Sequence, residues 1–249
     1  MSIRIAVESS GDLNPVDTQS DSAVPQQAGR TASRMSEGYP LMLDLSDRRC
    51  VVVGGGTVAA RKIAGLLEAQ ARVTVISPEI VTEIAALLDR IQWWQQTYTR
   101  ELLSREKPFL VFACTDQPAV NQNVAQDART CGALVSVTDR SSSSDFSTMV
   151  LVRRPPLTIS IHTGGASPAL AKHLGACIGA MVGDEYPILA RWLGDLRETL
   201  REQSRSQTER QQLYEAIIES DVLDLLREGQ SDQAYGRFQS LIDTWAEHA

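Results

Sequence analysis

The sequence predicts an α/β protein: a parallel sheet wrapped by helices, then a small mixed α/β segment, then a helical C-terminal region. Three observations predict it. Runs of β-branched and aliphatic residues, CVVV at 50–53, VTVI at 73–76 and LVFA at 110–113, alternate with helical periodicity between residues 40 and 140. After Asp139 the pattern changes, through the polar loop RSSSSDF, to two short strands about a Pro-Pro pair. From residue 186 onward the apolar residues recur only at helical spacing.

Each element follows from its residues. Residues 1–36 are rich in Ser, Gln, Asp and Pro, which reads as a disordered extension, and they lack the basic start and apolar run of a secretory signal. Met35 stands directly before SEGYPLMLDL, where pattern begins, and reads as an alternative start. Residues 50–53 form a strand buried on both faces, and TVAARKIAGLLEAQA places Val58, Ile63, Leu66 and Leu67 at helical spacing. RVTVISPE is a second strand, completing a β-α-β unit. IVTEIAALLDRI reads as a helix, IQWWQQTYT as a short strand and PFLVFACTD as a third buried strand. PAVNQNVAQDARTCG makes a helix with Gly132 beyond its end, and ALVSVTD a further strand.

In the segment STMVLVRRPPLTISIHTGG, Leu157, Ile159 and Ile161 alternate with Thr158, Ser160 and His162, which marks a sheet with one buried face. Ser167 then caps a helix with Pro168 at its first position. Leu170, Leu174, Cys177, Ile178 and Met181 form its apolar stripe, while Gly175, Ala176, Gly179 and Ala180 allow close approach, so it reads as a core or dimer-interface helix. Ile188, Leu189, Trp192, Leu193, Leu196 and Leu200 share one face of the next helix, and Gly229 and Ser231 mark a stop and a start between the last ones. The expected organisation is an extension at 1–36, a dinucleotide-binding domain at 37–146, a dimerisation domain at 147–184 and a helical domain at 185–249.

Composition narrows the function classes. With 249 residues, 43% of them hydrophobic, the chain can bury a sizeable core. A net charge of -7 argues against nucleic acid as a partner, and no apolar stretch is long enough to make the membrane one. The four cysteines, Cys50, Cys114, Cys131 and Cys177, are far apart, show no metal-ligand spacing and read as small buried hydrophobes in a reducing cytoplasm.

The most informative stretch is VVVGGGTVAARK at 51–62. A strand leading into G-x-G-x-x-A and a helix is the fingerprint of a Rossmann-type dinucleotide site. Gly54 allows the tight turn, Gly56 lets the backbone approach a pyrophosphate, and Ala59 lets helix and strand pack closely. Gly54, Gly55, Gly56, Thr57 and Val58 are therefore cofactor candidates. The acid that grips a ribose at the end of the second strand is missing; Ser77, Pro78 or the backbone takes that place, or Glu79 reaches back. No Arg follows that strand to receive a 2′-phosphate, which favours NAD over NADP. Thr115 and Asp116 lie at the carboxyl edge of the third buried strand, and Asp116 reads equally as a helix cap or a ligand residue.

Taken together, YPLMLDL, CVVVGGGTVAARK, ACTDQPAVN, VSVTD, SDF and PLTISIHTGGASPALAKHL resemble the precorrin-2 dehydrogenase and sirohydrochlorin ferrochelatase family, the N-terminal domain of siroheme synthase in its stand-alone form. The resemblance covers residues 38–200. It implies oxidation of precorrin-2 to sirohydrochlorin with NAD, followed in some members by insertion of Fe(II). It also implies a homodimer interlocked through the middle segment, and methylation of the precursor by a separate enzyme. The family's catalytic Asp falls on Asp139, in SVTD. Ser136 stands where the family usually has Asn, and Thr163 where some members carry Ser.

A carboxylate at the sheet's carboxyl edge is a reasonable base for the proton lost after hydride removal. Asp145 reads as a structural loop acid. A polycarboxylate substrate needs local cations and amides, so His162, Thr163, Gly164, Gly165, Ser167 and Lys172 are substrate candidates, with Arg140, Arg153 and Arg154 nearby. No stable metal cage is expected. The alternative is a non-catalytic NAD-binding regulatory sensor, which expects an acid after the second strand and leaves HTGGASPAL unexplained.

Overall fold

The computed structural model describes residues 38–138, 143–201 and 206–248. Five parallel strands, β1 (Arg49–Val53), β2 (Arg72–Ile76), β3 (Gln92–Trp94), β4 (Leu110–Ala113) and β5 (Leu134–Val137), lie in the order β3-β2-β1-β4-β5. The chain starts in the middle, pairs β1 with β2 on one side and β4 on the other, and so opens a crevice beyond the carboxyl ends of β1 and β4.

Both faces of the sheet are covered, as the unbroken apolar runs require. Helix α1 (Thr57–Glu68) buries Ala59, Ile63 and Leu66 on one face, packed with Val52, Val75 and Phe112. On the other face Leu103 of α3 (Arg100–Glu106) joins Val124 and Ala128 of α4 (Pro118–Thr130), packed with Val51, Val111 and Val135. Full burial of each aliphatic side chain contributes about 1.5–3 kcal/mol.

Edge strand β5 does not present a bare ladder. The Asp145 amide donates to the Val135 carbonyl at 2.8 Å, and the Val135 amide donates to the Asp145 carboxylate at 3.0 Å. Arg129 holds the same carboxylate at 2.9 Å, so Asp145 is the structural acid the sequence suggested.

Two crossings differ from the expected pattern. The helix expected over residues 80–91 is only α2 (Thr82–Ala85), because the chain then tightens into i to i+3 bonds, Leu87 to Ile84 and Arg90 to Leu87, to reach the nearby start of β3. Helix α3 was not expected: seven residues with one fully buried side chain, Leu103, are too few to show a period.

Strands β6 (Val150–Arg154) and β7 (Leu157–Ile161) form an antiparallel hairpin about a cis Pro155-Pro156 bond. Helix α5 (Pro168–Met181) begins at Ser167, whose hydroxyl accepts from the Leu170 amide as expected. Its small face meets the hairpin: a Cβ at Gly175 would lie 2.9 Å from Val150 Cγ1. The apolar stripe faces outward instead of into a core, with Leu170, Leu174 and Met181 49%, 38% and 69% exposed.

Helices α6 (Glu185–Arg201), α7 (Gln207–Glu219), α8 (Val222–Arg227) and α9 (Ser231–His248) share a core of Leu189, Leu196, Leu200, Leu213, Ile217 and Phe238. The segment after Ser206, read as continuous, breaks at Ser220, whose hydroxyl donates to the Ile217 carbonyl and accepts from the Val222 amide. Cys50 and Cys114 are buried, but Cys131 is half-buried and Cys177 exposed, so the reading of all four as core residues holds for two. No helix among the described residues is long and apolar enough to cross a membrane.

Candidate functional site

The glycine run caps the switch-point crevice. Gly54 leaves β1 at φ 121°, and a Cβ there would sit 2.5 Å from the Cys114 carbonyl oxygen, so no other residue fits between the ends of β1 and β4. Gly55, for which the fingerprint offers no reason, is wedged against the loop after β2. A Cβ there would overlap the Glu79 carbonyl oxygen and lie 2.7 Å from Ser77 Oγ, while the Val81 amide donates to the Gly55 carbonyl at 2.9 Å.

Gly56 is different. It is the N-cap of α1, its φ of -88° suits any residue, and a Cβ would meet nothing within 4 Å. No side chain caps α1 and no acid stands in its first turn. The result is an open cradle over a helix N-terminus, which fits a pyrophosphate by its amides and dipole. Thr57 and Val58 follow on its rim.

The other cofactor candidates border the same cradle with less freedom than the sequence suggested. Ser77 is buried and its hydroxyl donates to the Glu79 carbonyl at 2.6 Å, leaving only an accepting lone pair for a ribose. Pro78 and Glu79 are exposed. Glu79 is the only charged side chain between Ser77 and Val81, and its carboxylate opposes a 2′-phosphate.

Thr115 is clamped to a residue that sequence reasoning missed. Its amide and hydroxyl donate to Asn121 Oδ1 at 3.1 and 2.7 Å, and Asn121 Nδ2 donates back to the Thr115 carbonyl at 2.9 Å. This clamp shapes the β4–α4 turn. The N-cap of α4 is Gln117, with no side-chain cap bond, so Asp116 is an exposed acid at the crevice and not the cap. A buried Asn one turn into a helix was the signal for the clamp.

Across the sheet, Val53, Ala113 and Val137 are successive Cα partners, so β1, β4 and β5 end in line. Thr138 continues the row: its amide donates to the Ala113 carbonyl at 2.9 Å and its hydroxyl to Cys114 Sγ at 3.3 Å. Asp139 and Arg140 lie outside the described residues. Lys62, also missed, reaches from α1 to donate to Thr148 Oγ1 at 2.7 Å, pinning the approach to β6. Burial pushes its pKa down, partly offset by the Cys114 thiol.

The substrate candidates form one compact turn after β7. Thr163 Oγ1 donates to the Ser167 carbonyl at 3.0 Å and accepts from the Ser167 amide at 3.3 Å. Gly164 and Gly165 cross it at φ 63° and 81°. The amides of Gly164 and Ala166 are bonded to His162 Nδ1 and the Thr163 carbonyl, so the anion-binding capacity is narrower than expected and centres on Gly165. Because Nδ1 accepts, the proton sits on Nε2, which is 3.1 Å from Ser147 Oγ. His162 thus has both nitrogens engaged, Nδ1 by the glycine turn and Nε2 by Ser147 before β6.

Of the nearby cations, Arg153 is ion-paired with Glu68, and Arg154 donates to the carbonyls of Arg153 and Gly179. Lys172 is exposed on α5. The described residues contain no cluster of three or more metal-ligating side chains.

Comparison with known proteins places these features. An NAD(P)-binding family model matches residues 41–149, and the sirohaem synthase dimerisation region matches residues 185–242, downstream of the segment to which the sequence reading gave dimerisation. The siroheme synthase of Nitrosospira multiformis is 33% identical over 201 residues, covering 78% of this chain and 42% of the relative. That of Methylococcus capsulatus is 36% identical over 195 residues, covering 78% and 41%. The chain therefore spans about two-fifths of the length of these relatives. The solved structure of SirC, a precorrin-2 dehydrogenase, shares the fold with a TM-score of 0.65 at 24% identity, over 82% of this chain and all of that one.

Proposed function

Because the chain belongs to the siroheme synthase family, through its NAD(P)-binding and dimerisation regions, we propose that it oxidises precorrin-2 to sirohydrochlorin with NAD in the cytoplasm, as a homodimer. The observation that carries this reading is the alignment of strand ends. The glycine cradle follows Val53, whose row of Cα partners runs through Ala113 to Val137, and Asp139 stands two residues after Val137 in the sequence.

In this reading Gly54, Gly55, Gly56, Thr57 and Val58 hold the pyrophosphate, and the exposed 78–79 loop and Asp116 border the nucleosides. Bound NAD supplies a hydride acceptor. Asp139 takes the proton that the macrocycle loses. The Thr163–Ser167 turn, steadied by His162, offers the Gly165 amide and the start of α5 to substrate carboxylates, with Lys172 as an exposed cation on α5. The outward stripe of α5 is the natural surface for a second copy.

The test is anaerobic incubation with precorrin-2 and NAD, following NADH and sirohydrochlorin by absorbance, for the wild type and Asp139→Ala. NADH and sirohydrochlorin formation by the wild type is expected, with NAD affinity kept and turnover lost in the variant. Turnover near the wild-type rate in Asp139→Ala refutes the base. Addition of Fe(II) to the same cuvette reads iron insertion against the uncatalysed rate.

A further inference from the structure

At the amino edge of the sheet, opposite the glycine cradle, lies a cleft of about 450 Å³ lined by Arg49, Arg72, Arg90, Thr74, Gln92 and Glu106. Arg49 and Arg72 open β1 and β2 and are direct Cα partners. Parallel strands are about 4.8 Å apart, and residues in register share a face, so two guanidinium-bearing residues stand side by side. Like charges so placed destabilise a sheet unless something neutralises them. Arg90 enters from the loop before β3.

The acids at hand neutralise only part of this. Asp47 accepts from Arg72 Nε and Nη2 at 3.1 and 2.9 Å, and both partners are largely exposed. Glu106 Oε2 accepts from the buried Thr74 hydroxyl at 3.2 Å. Arg49 and Arg90 have no ion-pair partner among the described residues. A chain of net charge -7 thus gathers three arginines at one concave place, two of them with no ion pair among the described residues.

The geometry points to a second ligand site, for a small polyanion bearing at least two phosphate or carboxylate groups. Guanidinium groups recognise such oxygens by paired, charge-assisted hydrogen bonds, which a single chloride would not exploit. The cleft's volume takes a diphosphate or a tricarboxylate. It is separated from the dinucleotide turn by the length of β1, roughly 13 Å. Its ligand is therefore bound apart from the glycine cradle, at the opposite end of β1.

The experiment is calorimetric titration of the full chain with inorganic pyrophosphate and, separately, citrate, with NAD in excess to compete at the glycine cradle. The wild type is compared with Arg49→Gln/Arg90→Gln. Saturable binding of either probe is expected, weakened about tenfold or more in the double variant, with an unchanged melting temperature; which probe binds names the anion class. If the double variant melts lower, Arg90→Gln alone, in a loop, replaces it. Absence of binding by both probes, or affinity unchanged by the arginine substitutions, overturns the site.

Discussion

Gly55 and Gly56 are neighbours in one motif, yet the structure assigns them opposite work, and alanine at each separates the two. At Gly56 the new methyl would enter open space, and the backbone is already extended at φ -88°, ψ -175°. Alanine is a slightly poorer N-cap than glycine but restricts the unfolded chain by about 0.4–1 kcal/mol, so the net change in stability stays within about 1 kcal/mol. That corresponds to a melting shift of no more than about 4 °C for a chain this size. The same methyl fills the cradle. Loss of one charge-assisted phosphate-to-amide bond, about 1.5–3 kcal/mol, weakens NAD binding by about ten- to a hundredfold.

At Gly55 the methyl would collide with the Glu79 carbonyl and Ser77 Oγ, which are bonded to each other, while the Val81 amide ties the same loop to the Gly55 carbonyl. Backbone has to move, which costs about 1–3 kcal/mol and lowers the melting temperature by roughly 2 to 12 °C. Thermal melts and calorimetric titration with NAD read both variants without any turnover. Gly56→Ala binding NAD within about twofold of wild type, or Gly55→Ala melting with the wild type, refutes the assignment.

Three further outcomes are expected. Asp145→Ala removes the carboxylate that holds Arg129 and leaves the fully buried Val135 amide without its acceptor, so urea denaturation should show a loss of about 2–4 kcal/mol. Tyr98 donates to Asp127 at 2.9 Å, and burial first, then that carboxylate, push its phenol pKa up. The folded state then keeps a proton that the unfolded chain loses above about pH 10, so this contribution is complete below that pH and falls as pH rises beyond it. Tyr98→Phe should flatten the decline in urea midpoint between about pH 9 and 11 relative to wild type. Leu174→Glu/Met181→Glu places two charges in the outward stripe of α5 and should raise the dimer dissociation constant about a hundredfold or more, read by light scattering across concentrations. A dimer unchanged by both charges moves the interface off α5.

Much of the architecture was legible because burial on both faces writes itself into sequence. Val51, Val52 and Val53, all at 1% exposure or less, belong to a run with no polar interruption, and only a strand covered on both faces tolerates one. The cap at Ser167 and the Pro-Pro hairpin were legible for a local reason: a single side chain or ring decides the conformation. Elements decided by partners distant in sequence were not. Helix α3 exists because Leu103 is needed over Val53 and Val111, and α2 is short because β3 must begin beside β2.

The same distinction governs the site. The tight turn at Gly54 and the open helix start at Gly56 were legible because a turn and a helix start are local. Gly55 was opaque because its constraint comes from Ser77 and Glu79, at the end of a different strand. Thr115, a cofactor candidate, turns its hydroxyl inward to Asn121, and His162, a substrate candidate, has Nδ1 bonded to the glycine turn and Nε2 to Ser147. In each case the side chain is spent on shaping nearby backbone. At this edge the amides of glycine turns are what remain available, and the polar side chains around them are engaged in holding those turns open.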